Sequence, residues 1–268
     1  GTLKNLNNEL QGQIDTIGNT GTIENGQNRG TITTLDNQNG GTIDQFTNNN
    51  NATITNLNNN AGATITTFNN DGLIDNTFSN AGKVEAFNNN TDGRINGNII
   101  NQNGGEITTI KNDGEIIGGG ITNENGGTIT TIISNNDLSQ IENTGNIGTI
   151  ENNATITTIN NQNGGTITKI DNTANNTITT LNNENGATIT EIANAGNITN
   201  AFENQGNVST INNTGDFQNG ITNKDGGSIT DITNNNTITG GITNEANATI
   251  TTINNNNNLA SIDNQGNI

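Results

Sequence analysis

The stretch T-I-T-T-I-N-N-Q-N-G-G, residues 155–165, is built from five residue types, and none of them can exchange a proton near neutral pH. Thr and Ile favour pleated, half-buried backbone. Alternation along a strand sends Ile156 to one face and its neighbours Thr155 and Thr157 to the other. Ile159 comes three positions after Ile156, which breaks the alternation. Both isoleucines can face inward only if the chain turns a corner between them. Asn161 follows two residues later, and Gly164 and Gly165 suit a tight turn because glycine tolerates positive φ. Strand, corner, short strand and turn make one half of a β-solenoid coil.

Variants of this stretch fill the chain. Aligned on the apolar positions, the sequence divides into 26 units of about 10 residues, each read as apolar-x-Asn before a polar turn. In chain order the asparagine is Asn8, Asn19, Asn25, Asn37, Asn48, Asn59, Asn70, Asn80, Asn89, Asn101, Asn112, Asn123 and Asn135. It continues as Asn143, Asn152, Asn161, Asn172, Asn183, Asn194, Asn204, Asn213, Asn223, Asn234, Asn244, Asn255 and Asn264. A phase held through spacers of varying length marks a structural residue. Its amide can donate to one neighbouring coil and accept from the other, so we expect a stacked asparagine ladder.

Two features alternate with the same parity. Asn-Gly-Gly turns, as at 37–41, 101–105, 123–127 and 161–165, occur only in even units, as do the longer inter-apolar gaps at 74–78, 198–202, 217–221 and 238–242. Phe46, Phe68 and Phe87 hold matching places in three successive odd units. One coil is therefore an odd–even pair of about 20–21 residues, which gives thirteen coils. The expected fold is all-β, one continuous β-solenoid over residues 1–268. At about 4.8 Å per coil it would be a rod on the order of 60 Å long. The chain has no proline, as expected where every coil donates hydrogen bonds to its neighbours.

Composition narrows the function. With 7 Lys and Arg against 25 Asp and Glu, the formal charge of −18 argues against nucleic acid and anionic membrane surfaces, which attract basic patches. No apolar run is long enough to span a bilayer, so no membrane contact is expected of this segment. There are no cysteines for a disulfide framework. "GTLKNL" at the start and "SIDNQGNI" at the end both lie in mid-pattern. We therefore expect no signal peptide unless one has been removed. We also expect either a segment of a longer array, flanked by neighbouring domains, or rods that stack end to end on one another.

Asn-, Thr- and Gly-rich units of the G-T-I-T-T-I type, as at 127–132, resemble the passenger repeats of large Gram-negative surface proteins, the autotransporter adhesins and vacuolating-cytotoxin-like passengers. The resemblance covers nearly the whole chain. It implies a right-handed β-helix exported to the cell surface, where it acts as a stalk or adhesin. Phage tail fibres and filament subunits share the style.

Candidate chemistry is sparse. The chain has no His, and acids such as Asp36, Asp44, Asp75, Glu85, Asp171, Glu191 and Asp231 are scattered. General acid–base work needs a pair of groups whose environments separate their pKa values. Glu184 and Glu203 read as similar turn positions one coil apart, with Gln162 and Lys224 in the equivalent places. We expect no enzyme, cofactor or metal site; "NGGTIT" and "DGGSIT" lack the Asp of calcium-binding β-roll repeats. The alternative is an ice-binding face of outward Thr-x-Thr pairs: Thr64 and Thr66, Thr128 and Thr130, Thr166 and Thr168, Thr188 and Thr190, Thr249 and Thr251. Lys83, Glu85, Glu106, Asn146 and Gly148 interrupt it. All six Phe fall at inward positions, leaving no aromatic platform for sugars. The leading expectation is a non-catalytic structural or adhesive rod outside the cell.

Overall fold

The structure, a computed structural model, describes residues 1–268 and contains only strands, turns and bends. The chain is a β-solenoid of parallel stacked coils with two compact units, Gly1–Ser139 and Gln140–Ile268.

In the first unit the odd-numbered repeats supply Thr2–Asn8, Thr22–Asn28, Thr42–Asn48, Thr64–Asn70, Lys83–Asn89, Glu106–Asn112 and Thr128–Ser134, each paired in parallel with the strand one coil away. The even repeats supply Gln13–Asn19, Thr31–Asn37 and Thr53–Asn59 as continuous strands. The next even repeats are each cut in two, beginning with Leu73–Ile74 and Phe78–Asn80. The second unit repeats the scheme, with odd strands such as Thr166–Asn172 and Thr188–Asn194, and even repeats split from Asn197–Ile198 and Phe202–Asn204 onward. The cuts fall at the longer inter-apolar gaps, where extra residues must be looped out of the ladder.

Within every seven-residue strand but the first two and the last, the second, fifth and seventh residues are buried; in Thr166–Asn172 these are Ile167, Ile170 and Asn172. Pairing to the next coil runs Ile167 to Ile189 and then Lys169 to Glu191, skipping Thr168. The strand therefore bends at its third residue, and the bend brings both isoleucines inward. Each fully buried Ile or Leu contributes about 1.5–3 kcal/mol. Phe46, Phe68 and Phe87 stack coil upon coil with centroids 5.7 and 5.5 Å apart, and Phe78 lies on Phe87 at 4.6 Å.

The seventh position carries the ladder. From Asn8 to Asn101 each Nδ2 donates to the carboxamide oxygen of the next coil, as Asn48 does to Asn70 at 2.9 Å. Each also donates to a backbone carbonyl one coil on, as Asn48 does to Leu73 at 3.0 Å. The second unit has the same two rails, one from Asn152 through Asn172, Asn194, Asn213 and Asn234 to Asn255, and one from Asn143 through Asn161 and Asn183 to Asn264. The carbonyl contact sets the polarity. A flipped amide would oppose oxygen to oxygen, so every donor points toward the chain's C-terminal coils.

Two ladder positions differ from the sequence reading. In the third repeat the buried residue is Asn28, and Asn25 is exposed. That repeat lacks its second apolar side chain; Gly26 stands in its place and the Phe46 ring fills the space, with Cε2 at 2.6 Å from where a Cβ would be. In the thirteenth repeat Ser134 is the buried residue and Asn135 is exposed. There the extra apolar residue Ile133 shifts the apparent apolar-x-Asn phase by one.

After the ladder residue, long turns place their third residue in the left-handed region, as at Gly40 (φ 79°) and Gly164 (φ 85°), and at Asn51 (φ 64°), Asn175 (φ 69°) and Asn247 (φ 61°). Glycine and asparagine tolerate this conformation best, which accounts for the polar, glycine-rich turns.

Replacing Asn70 with Ala strands one N–H of the Asn48 carboxamide and the Asn89 Oδ1 inside the coil. At about 1–3 kcal/mol per buried unsatisfied group, the loss is about 2–6 kcal/mol, read as accelerated amide exchange in the flanking coils. Gly26→Leu, which restores the consensus, overpacks against Phe46 and destabilises by about 1–3 kcal/mol. Adding Phe46→Leu recovers most of that in a double-mutant cycle followed by chemical denaturation.

Candidate functional site

The outward threonines stand where alternation sends them, flanking a buried isoleucine. Thr128, Thr130, Thr168, Thr190 and Thr251 are exposed, whereas Thr64, Thr66, Thr166, Thr188 and Thr249 are half-buried. In the second unit Thr166 lies in register with Thr188, with Asn146 before and Asn207 after. Ser228 adjoins Thr249. In the first unit Thr64 meets Lys83, and Thr128 meets Glu106. The structure thus brings only the pairs at 166/168 and 188/190 onto consecutive coils. The second threonine of each pair sits at the position that the strand pairing skips.

Five of the seven cations form ion pairs, along the chain or between coils. Lys83, Lys111 and Lys169 each reach the acid two residues on, Glu85 at 3.1 Å, Asp113 at 2.5 Å and Asp171 at 2.9 Å. Arg29 reaches Glu9 at 3.4 Å and Lys224 reaches Glu203 at 2.6 Å, each one coil away. Residues two apart on a strand share a face. This explains the same-strand pairs, and exposed pairs of this kind contribute little stability.

Glu203 and Glu184 are not equivalent. Glu203 precedes its ladder residue Asn204 and lies in register with Asn182, whereas Glu184 follows Asn183 in the turn, as Gln162 and Lys224 follow theirs. The long gap in the repeat at 198–202 obscures this in the sequence.

Two notches cut the turn ridges, and turn length explains both. In the second unit the short turn Gln205–Gly206 sits between long turns at 184–187 and 224–227. The notch it leaves is about 410 Å³ and is lined by Asn163, Asn185, Glu184, Glu203, Gln205 and Lys224. In the first unit the short turn Asp71–Gly72, between long turns at 49–52 and 90–93, leaves about 300 Å³ beside Asn50, Asp92 and Arg94. Amides and carboxylates dominate the first, a lining suited to water or hydroxyl groups, whereas Ala52, Leu73 and Arg94 share the second with its Asn and Asp side chains. Alternating turn lengths are visible in the sequence and could have located both notches. No group of three or more His, Cys, Asp or Glu side chains is placed to hold a metal ion. No helix is long and apolar enough to cross a membrane.

Two side chains have displaced proton affinities. Burial pushes the Asp113 carboxyl up, but hydrogen bonds from Lys111 and Asn135 and the Lys111 charge outweigh it and hold it below the ordinary value of 3.8. The hydrogen bond to Asp171 raises Lys169 above 10.5, helped by the charges of Asp171, Glu191 and Glu151 and opposed by burial. One polar atom inside the first unit has no partner: Nδ2 of Asn112, whose ladder neighbour is Ser134.

Compared with known protein families, with curated proteins and with solved structures, the chain matches none.

Because the Asp113 carboxyl is lowered in the folded state, its contribution is present above the ordinary 3.8 and is lost as pH falls through the lower folded value. Acid titrations of stability should therefore show a shallower decline for Asp113→Asn than for the unaltered chain as pH falls from the ordinary 3.8 to that lower folded value. The two curves run parallel at higher pH.

Proposed function

We propose that the protein is a non-catalytic structural rod of an extracellular bacterial surface protein: a stalk, an adhesin passenger or a fibre subunit. One observation carries this reading. Coil after coil receives hydrogen bonds from the coil before it and presents the same kind to the next, through strands and amides alike. Such a unit is a template for its own extension, and its chemistry is spent on length. The partner is a further coil-bearing surface, either a neighbouring domain of a longer chain or a second copy. Because the ladders run one way, addition satisfies donors and acceptors only head to tail. The acidic surface limits side-by-side association of strands. The resemblance to autotransporter passenger repeats supplies the cell-surface setting, and the amide- and hydroxyl-rich exterior suits weak polar adhesion.

Sedimentation across a range of concentrations, with negative-stain electron microscopy of the same samples, tests the reading. An elongated particle, or filaments of constant width that lengthen with concentration, is the expected result. A near-spherical particle with the friction of a compact 27.8 kDa protein would overturn it. Thr166, Thr168, Thr188 and Thr190 on consecutive coils keep a second reading, ice binding, worth one assay of the same preparation. Inhibition of ice recrystallisation, lost in Thr168→Lys, would favour it.

A further inference from the structure

We infer that the first unit encloses a hydration site between Asn112 and Ser134, where a single ordered water replaces a missing ladder amide. The argument begins with what a ladder position normally supplies. Asn89, one coil earlier, donates one N–H to Asn112 Oδ1 at 2.8 Å and the other to the Glu115 carbonyl at 3.3 Å. Asn112 is fully buried and accepts from Asn89 in the same way, but its own Nδ2 donates to nothing.

The cause is local. Residue 134 is serine, aligned with Asn112 in the strand pairing and itself fully buried. Its hydroxyl turns away and donates to the Asn136 carbonyl at 2.9 Å. The turn beyond is also unusual. Asn136 stands where the comparable turns after Asn70 and Asn112 place Gly72 and Gly114, and its Oδ1 accepts from the Asp137 N–H at 2.9 Å. Asn112 therefore engages neither the carboxamide oxygen nor the carbonyl that the earlier ladder amides find.

A side chain that ends in a hydroxyl where its counterparts carry a carboxamide leaves space on the scale of one water, whose share of liquid volume is about 30 Å³. Buried waters settle on otherwise unsatisfied polar groups and need at least two partners. The water accepts from Asn112 Nδ2 and donates to Ser134 Oγ, whose hydrogen is already committed to Asn136. The ladder continues through it, with a rung that can leave and re-enter. Coils at this rung open more readily than those bounded by two asparagines.

The full 268-residue chain, isotopically labelled, provides the test. The Asn112 carboxamide resonance is assigned as the signal lost in Asn112→Ser. A rotating-frame Overhauser peak between it and water, opposite in sign to exchange, is expected. Absence of that peak, or a peak with the sign of exchange alone, overturns the inference. Ser134→Asn should abolish the water peak, slow exchange of the Asn112 side-chain amide at least tenfold and raise the denaturation midpoint. Unchanged exchange in a folded Ser134→Asn protein would also overturn it, and the unaltered chain decides the matter if that variant does not fold.

Discussion

A carboxamide buried inside a coil of this kind has two hydrogens and an oxygen to satisfy, and where the ladder is unbroken another carboxamide, not water, does it. The only nearby partners are the coils before and after, so each asparagine must find another at the same height on the next turn. Leaving one such group unsatisfied costs about 1–3 kcal/mol, which is comparable to the gain from burying an isoleucine. That requirement disciplines everything else. Strand ends must coincide from coil to coil, and insertions are confined to turns or to the gap between the two apolar positions. Proline is absent from a backbone that pairs on both sides. Asn70 illustrates the arrangement. It accepts from Asn48 at 2.9 Å and donates to Asn89 at 2.8 Å, and it forms the last residue of a strand paired in register with both neighbours.

What the ladder does not constrain is free to vary, and the surface records that freedom. Turns of two or four residues leave from the same ladder position. The notches beside Gln205 and Asp71 are by-products of mixing them. Outward positions accept Thr, Lys or Glu in one column, as Thr64, Lys83, Glu106 and Thr128 show in successive coils. An outer set of half-buried amides also stacks, and it runs against the buried one: Asn88 donates back to Asn69 at 2.9 Å and Asn182 back to Asn160 at 2.8 Å. A surface built this way is polar and acidic.

Much of this was legible in the residues. The spacing between Ile156 and Ile159 required a bend, and the bend lies between them. The parity of the Asn-Gly-Gly turns identified the coil as two repeats, and odd repeats pair with odd throughout each unit. The ladder at Asn37, Asn48, Asn59, Asn70, Asn112, Asn161, Asn172, Asn183, Asn194 and Asn213 was placed from its phase alone, and every one of these side chains is buried. The misplacements share one cause, which is that a local pattern was read where a partner in another coil decides. Asn25 follows an apolar residue at the usual distance, yet Phe46 from the next coil occupies the missing apolar site and moves the buried residue to Asn28. Asn135 follows Ile133 correctly, but Ile132 is the side chain that packs inward, so Ser134 takes the ladder. Glu203 was mistaken for a turn residue because a looped-out segment precedes it. The surface notches depend on differences between neighbouring turn lengths, which no single repeat contains.

The functional reading follows from how completely the inward chemistry is consumed in joining coil to coil. If the buried amides are the joint, their protons should be as hard to reach as those of the strands. The direct measurement is solvent hydrogen exchange of the asparagine side-chain amides, followed by NMR alongside the backbone. The account predicts a protected class of carboxamides that exchange as slowly as the strand amides around them, with the surface asparagines exchanging freely. If every asparagine side chain exchanged at the free rate while the backbone stayed protected, the ladder would not be holding the coils together.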